Sequence, residues 1–255
     1  MERNRKYTCF SPEKQEHHAA LFVSFFFRIF DLLTTLECTS LQYIVCLVSG
    51  FFIGSFPTAY LLVKWKSRID IRSAGSGNVG AMNTYDVTGS RLLGIAVMIG
   101  DLLKGVLATS CGWLLSGRLF WGAALAGTAA VVGHNYSPWL RFKGGRGLAT
   151  TVGVMLVCGW PAIVAWSLLW VIVYGARKNI HLANIAATVL GLLVFVIVPQ
   201  SWVRSTAFIY QDFSSWYAFL TLVCLLILVK HLGYVRQLKD LIMNQTMADG
   251  NANRG

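Results

Sequence analysis

Two intervals of this 255-residue chain combine glycine, cations and small polar side chains in a way that suits anion binding. The first runs from Asp70 to Arg91. Within it, Gly75, Gly77 and Gly80 alternate with Ser76 and Asn78, and Arg72 lies just upstream. Glycine permits a positive φ and close approach to the backbone, and successive N–H groups in such a turn form an anion-binding concavity. A plain flexible loop fits the same spacing equally well. The dinucleotide-binding version of Gly-x-Gly-x-x-Gly needs a strand before it and a helix after it in a βαβ unit. Here the flanks are long apolar runs, which argue against that version.

In the second interval, Lys143 and Arg146 are interleaved with Gly144, Gly145 and Gly147, and a helix is expected to begin near Leu148. Cations and glycines just before a helix N-terminus make an anion site, because unpaired N–H groups gather there. The plainer alternative is a basic turn that touches lipid headgroups. Asp101 and Lys104 lie within an apolar run, spaced either to pair with each other or to let Lys104 reach a phosphate. His134, His181 and His231 each sit at the edge of an apolar run, where interfacial histidines are common. Asp70 and Asp86 flank the first loop without specifying general acid–base work.

The elements that must hold these loops are apolar. Hydrophobic residues make up 55% of the chain and charged residues 13%, and several runs reach the ~20 residues that span a hydrocarbon core. The fold class is therefore an all-α polytopic membrane protein, because helices satisfy every backbone polar group within the segment. Seven transmembrane or partly spanning segments are expected, at about 41–63, 92–116, 119–136, 148–158, 161–175, 181–199 and 216–230. Gly159-Trp160-Pro161 separates the fourth from the fifth, since proline removes a donor. With this count, nearly all loop Lys and Arg fall on one side, which the positive-inside rule makes cytoplasmic. The net charge of +11 thus reads as loops facing anionic lipid, with no nucleic-acid partner expected. The six cysteines are scattered without Cys-x-x-Cys spacing, so neither a metal site nor a disulfide framework is expected. Three parts follow: an extension at 1–40 with an interfacial or weakly spanning stretch, a membrane domain at 41–240, and a polar tail at 241–255.

At these residues the chain resembles the membrane-bound acyl-phosphate:glycerol-3-phosphate acyltransferases of bacteria. The likeness starts at Gly54-Ser55-Phe56-Pro57-Thr58-Ala59-Tyr60-Leu61 and continues through Asp70-Ile71-Arg72 and Gly75-Ser76-Gly77-Asn78-Val79-Gly80-Ala81. Asp101-x-x-Lys104-Gly105, Gly133-His134 and Phe142-Lys143-Gly144-Gly145-Arg146-Gly147-Leu148-Ala149-Thr150 complete it, with Arg146 where the family usually has Lys. The resemblance implies seven helices and transfer of an acyl group from acyl phosphate to glycerol 3-phosphate, giving lysophosphatidic acid. It implies no cofactor, a monomer, and a multi-pass location in the bacterial inner membrane with a cytoplasmic site. Ser76, Asn78, Lys104 and His231 are the catalytic residues it implies. Arg72, Gly75, Gly77, Gly80, Lys143, Gly144, Gly145, Arg146 and Gly147 are the substrate-binding ones.

Four positions depart from the family pattern. Met82 stands where Thr is usual, Asp86 where Arg is usual, Tyr234 where Asn is usual, and Met243 near a usual Glu. These substitutions keep a second reading open, a non-catalytic or transport protein that binds a phosphorylated lipid or anion.

Overall fold

The computed structural model describes the backbone of residues 40–252 and the side chains through Gly233. The expected interfacial stretch within residues 1–40 lies almost wholly outside the described residues. Ten α-helices occur among those described. The first part of the chain forms α1 Ser40–Ser55, α2 Thr58–Ser67, α3 Ala81–Thr88, α4 Arg91–Leu115 and α5 Phe120–Asn135. Then come α6 Leu148–Cys158, α7 Trp160–Arg177, α8 Ile180–Ile197, α9 Gln200–Thr206 and α10 Phe213–Ala252.

Every expected segment has a helix beneath it, with three differences. The first segment is broken at Phe56-Pro57, because Pro57 cannot donate to a helix ladder. The glycine-rich loop contains a helix, α3, that the polar sequence concealed. The last segment continues to Ala252, well beyond the apolar run. Among the described residues, five helical stretches are long and apolar enough to cross a membrane: Ser40–Ser67, Arg91–Leu115, Trp160–Arg177, Ile180–Ile197 and Phe213–Gly233. Helices α5 and α6 are shorter, about 24 and 16 Å at 1.5 Å per residue, against a hydrocarbon core of about 30 Å.

Small residues let the helices carrying the site approach closely. A Cβ on Gly54 would lie 2.1 Å from the Ala130 carbonyl oxygen, and one on Gly105 would lie 2.2 Å from that of Thr150. In lipid, such backbone proximity takes over the role that hydrophobic burial plays in water. The larger core gathers Phe120, Val154, Phe195, Trp216, Phe219 and Val223. At the α6–α7 break, the Trp216 Nε1 donates to the Cys158 carbonyl at 2.9 Å and satisfies the end of α6.

Candidate active site

The first glycine-rich loop is organised by a side chain. Asn83, on α3, is 1% exposed. Its Nδ2 donates to the carbonyls of Ile71, Ala74 and Asn78 at 3.3, 3.1 and 2.9 Å. Its Oδ1 accepts from the Ser76 N–H at 2.8 Å. Gly75 and Gly77 hold φ of +58° and +69°, which a Cβ would oppose. The Gly77 and Gly80 N–H groups donate to Ala74 and Asn78 within the loop. Three of the N–H groups expected to cradle an anion are therefore engaged in shaping the turn. Ser76 stays exposed, and α3 starts at Gly80 with no side-chain cap on its first N–H groups. Arg72 is clamped by Asp70, Nε to Oδ1 at 2.9 Å and Nη2 to Oδ2 at 2.6 Å, and lies over the Tyr60 ring. Those hydrogen bonds hold the Asp70 carboxyl down at about 2.

Below this loop is a small polar cleft. Val79 of the first loop, Gly145 of the second, Asp101 and Lys104 of α4, and His134 of α5 all line it. Lys104 Nζ donates to Asp101 Oδ1 at 2.8 Å and to the Phe56 carbonyl at 3.1 Å. The break at Pro57 presents that carbonyl. His134 Nδ1 is 3.7 Å from the same Asp101 oxygen. An ammonium has three donors, so Lys104 keeps one proton beyond these two bonds.

The second loop is built by the absence of side chains. The Gly144 and Gly145 N–H groups donate to the Asn135 and His134 carbonyls at the end of α5, at 3.3 and 3.1 Å. A Cβ on Gly144 would lie 2.0 Å from the His134 oxygen. One on Gly145 would lie 2.1 Å from His134 Nε2 and 2.8 Å from the Val79 oxygen. The loop also docks on the α1 break, where Ser137 Oγ donates to the Ser55 carbonyl at 2.6 Å and Trp139 Nε1 to Ser55 Oγ at 3.0 Å. Lys143 is exposed beside the exposed Trp139 and Phe142, a combination suited to a membrane interface. Gly147, at φ +84°, leads into α6 without a side-chain cap.

Arg146 turns away from the cleft. Its Nη1 lies 3.0 Å from His181 Nδ1, and partial burial holds its pKa below the usual guanidinium value. Arginine only donates, so that His181 nitrogen accepts. The His181 ring faces His231 with centroids 6.3 Å apart. His231 is 1% exposed, with Nδ1 2.8 Å from the Ile227 carbonyl and Nε2 3.3 Å from Asn184 Nδ2. A carbonyl only accepts, so Nδ1 carries the proton and Nε2 accepts from Asn184. Trp170 Nε1 fixes the other end of Asn184 at 2.7 Å. Beneath this cluster, an apolar slot runs between α6, α7, α8 and α10.

The family model for glycerol-3-phosphate acyltransferases matches residues 44–240. The chain belongs to that family. The glycerol-3-phosphate acyltransferase 2 of Moorella thermoacetica is 39% identical over 162 residues, 63% of this chain and 81% of that protein. The glycerol-3-phosphate acyltransferase of Nitrobacter winogradskyi is 39% identical over 146 residues, 57% and 72% of the two chains. The crystal structure of PlsY (YgiH), an integral membrane glycerol 3-phosphate acyltransferase, in its glycerol 3-phosphate form superposes with a TM-score of 0.64 at 26% identity. It covers 78% of this chain and 92% of PlsY. The lysophosphatidic acid form gives the same score at 25% identity.

Within this acyltransferase-family chain, the residues singled out by sequence divide into two groups. Lys104 and Gly145 line the cleft, and Gly75, Ser76, Gly77, Asn78 and Gly80 belong to the loop that supplies its Val79 wall. Arg146 and His231 belong to the second cluster with His181. Both ring nitrogens of His231 are hydrogen-bonded, Nδ1 to the Ile227 carbonyl and Nε2 to Asn184. Arg72 pairs with Asp70. The sequence list omitted Asn83, Asp101, His134 and the Phe56 carbonyl. Pro57 stood within a quoted motif and Asn83 within the interval from Asp70 to Arg91, but only the fold shows what they touch.

Proposed function

We propose that this protein transfers a fatty acyl group from acyl phosphate to the 1-hydroxyl of glycerol 3-phosphate, at the cytoplasmic face of a bacterial inner membrane. The products are lysophosphatidic acid and inorganic phosphate. One observation carries the reading: both glycine-rich loops wall a single cleft, and a buried lysine stands in it.

In this reading Ser76, Asn78, Arg72 and the turn at Gly75, Gly77 and Gly80 hold a phosphate over the uncapped start of α3. Lys143, Arg146 and the turn at Gly144, Gly145 and Gly147 face the acyl phosphate, and its tail enters the apolar slot. The acceptor oxygen attacks the carbonyl carbon, the bond to the phosphate oxygen breaks, and the acceptor proton leaves on phosphate. The remaining proton of Lys104 meets the negative charge that develops on oxygen, while Asp101 and the Phe56 carbonyl fix the ammonium. His231 positions Asn184. Because phosphate leaves readily, positioning and charge suffice without a covalent nucleophile.

Two departures from the family pattern fall outside the cleft. Met82 and Asp86 are exposed on α3, and neither lines the space beside Lys104. Tyr234 and Met243 lie where side chains are not described.

Vesicles carrying the protein should release phosphate from acyl phosphate only when glycerol 3-phosphate is present. Ser76→Ala, an exposed substitution, should reduce that rate by about 10²-fold, the scale of losing one oxyanion donor. Absence of turnover by folded wild-type protein would overturn the reading in favour of phosphate or lipid binding alone.

A further inference from the structure

The apolar slot has a direction. Leu148 follows Arg146 and Gly147 directly, Thr188 lies one turn past Asn184, and Ile227 one turn before His231. Those lining residues form the end beside the polar cluster. Met155, Ala162, Phe195 and Leu220 form the other end. Thr188 and Phe195 are two turns apart on α8, so the slot is about 10 Å deep along the helix axis.

Two residues of α8 control that depth. Gly191 is buried and lines the slot, yet a Cβ placed on it would find nothing within 4 Å. The glycines at the α1–α5 and α4–α6 crossings are the opposite case, with backbone atoms about 2 Å from a Cβ. Helix packing therefore does not account for Gly191, and glycine inside a helix costs stability relative to alanine. What borders Gly191 is the slot itself. One turn deeper, Phe195 is 2% exposed and sits edge-on to Trp216, with ring centroids 5.1 Å apart. Trp216 is tethered through Nε1 to the Cys158 carbonyl, which keeps Phe195 from swinging aside.

We infer that Gly191 and Phe195 gauge the acyl chain: Gly191 leaves the passage open, and Phe195 closes its floor and sets the longest tail that fits. The inference rests on the reading that the slot takes the tail of the acyl phosphate. Gly191→Leu fills the passage partway, and Phe195→Ala opens the floor.

The test is kcat and KM for a series of acyl phosphates of increasing chain length, with purified wild type and both variants in lipid nanodiscs. Gly191→Leu should lower kcat/KM for long donors relative to short ones by at least about tenfold, since one misfitting methylene is worth about 10-fold or more. Its melting temperature should stay close to that of wild type, which checks that it folds. Phe195→Ala should shift the preference the other way, mainly through KM. A uniform loss across all lengths in both variants, or unshifted preference in active variants, overturns the gauge alone. Silence of the wild type with every donor overturns the functional reading and the gauge together.

Discussion

In the loop around Gly75–Gly80 a side chain does the holding, since four bonds from Asn83 tie the turn to α3. In the loop around Gly144–Gly147 missing side chains do it, because the backbone seats directly on the last carbonyls of α5. Each loop carries three glycines, at 75, 77 and 80 and at 144, 145 and 147. The difference teaches that glycine in a cation-rich loop serves two ends, freedom of φ in one case and space in the other. Ser76 of the first loop is exposed, whereas the second loop is seated against His134 and the end of α5.

The contrast predicts opposite vulnerabilities. Adding one methyl should break the second loop. Gly144→Ala or Gly145→Ala forces His134 or its carbonyl aside, which overpacking data put at about 1–3 kcal/mol or more. Activity should fall by more than about 10²-fold, because a displacement near 1 Å at the cleft carries a cost of that size. Gly175→Ala, whose Cβ meets nothing within 4 Å, is the matched control: it should not lower the melting temperature and should leave the rate unchanged.

Removing a side chain should break the first loop. Asn83→Ala strands the Ser76 N–H and three carbonyls, a loss of about 1–3 kcal/mol by the cost of unsatisfied buried groups. Glycerol 3-phosphate KM should rise more than donor KM, which would separate the loops by substrate. Asn135 sharpens the comparison: it too is buried, beside Gly147, but its amide has no hydrogen-bond partner among the described residues. Asn135→Ala should therefore change stability by less than about 1 kcal/mol, because no bond is lost. A larger loss would mean that an ordered water satisfies that amide.

The smallest effect concerns Asp70. Its folded pKa of about 2 lies below the ordinary 3.8, so its pairing with Arg72 is fully present above pH 4 and is lost as pH falls through about 2. The melting-temperature difference between wild type and Asp70→Asn should stay constant above pH 4 and vanish below pH 2. A difference that persisted at pH 1 would show that the carboxylate is not what holds Arg72.

Hydrophobic run lengths were enough to place most helices, because a membrane admits little besides helices at that depth. The motif residues Lys104 and Gly145 were legible as chemistry from type and spacing. Three matters were not legible. Helix α3 is short and polar, so neither periodicity nor length marked it. The direction of Arg146 depends on which helix its loop meets, and a loop of glycines does not encode that locally. The bond at His231 Nε2 depends on Asn184, 47 positions away.

Alone, the sequence determined that this chain lives in a bilayer, that its cations gather in the loops, and that two of those loops are rich in glycine. Those outcomes follow from composition and local backbone freedom. Tertiary structure decided that the two turns share one cleft, that Lys104 is fixed by Asp101 and the Phe56 carbonyl, and that an apolar slot opens beneath Arg146. Each of those depends on which helix faces which, set by small-residue crossings between distant segments, a pairwise property that no local stretch carries.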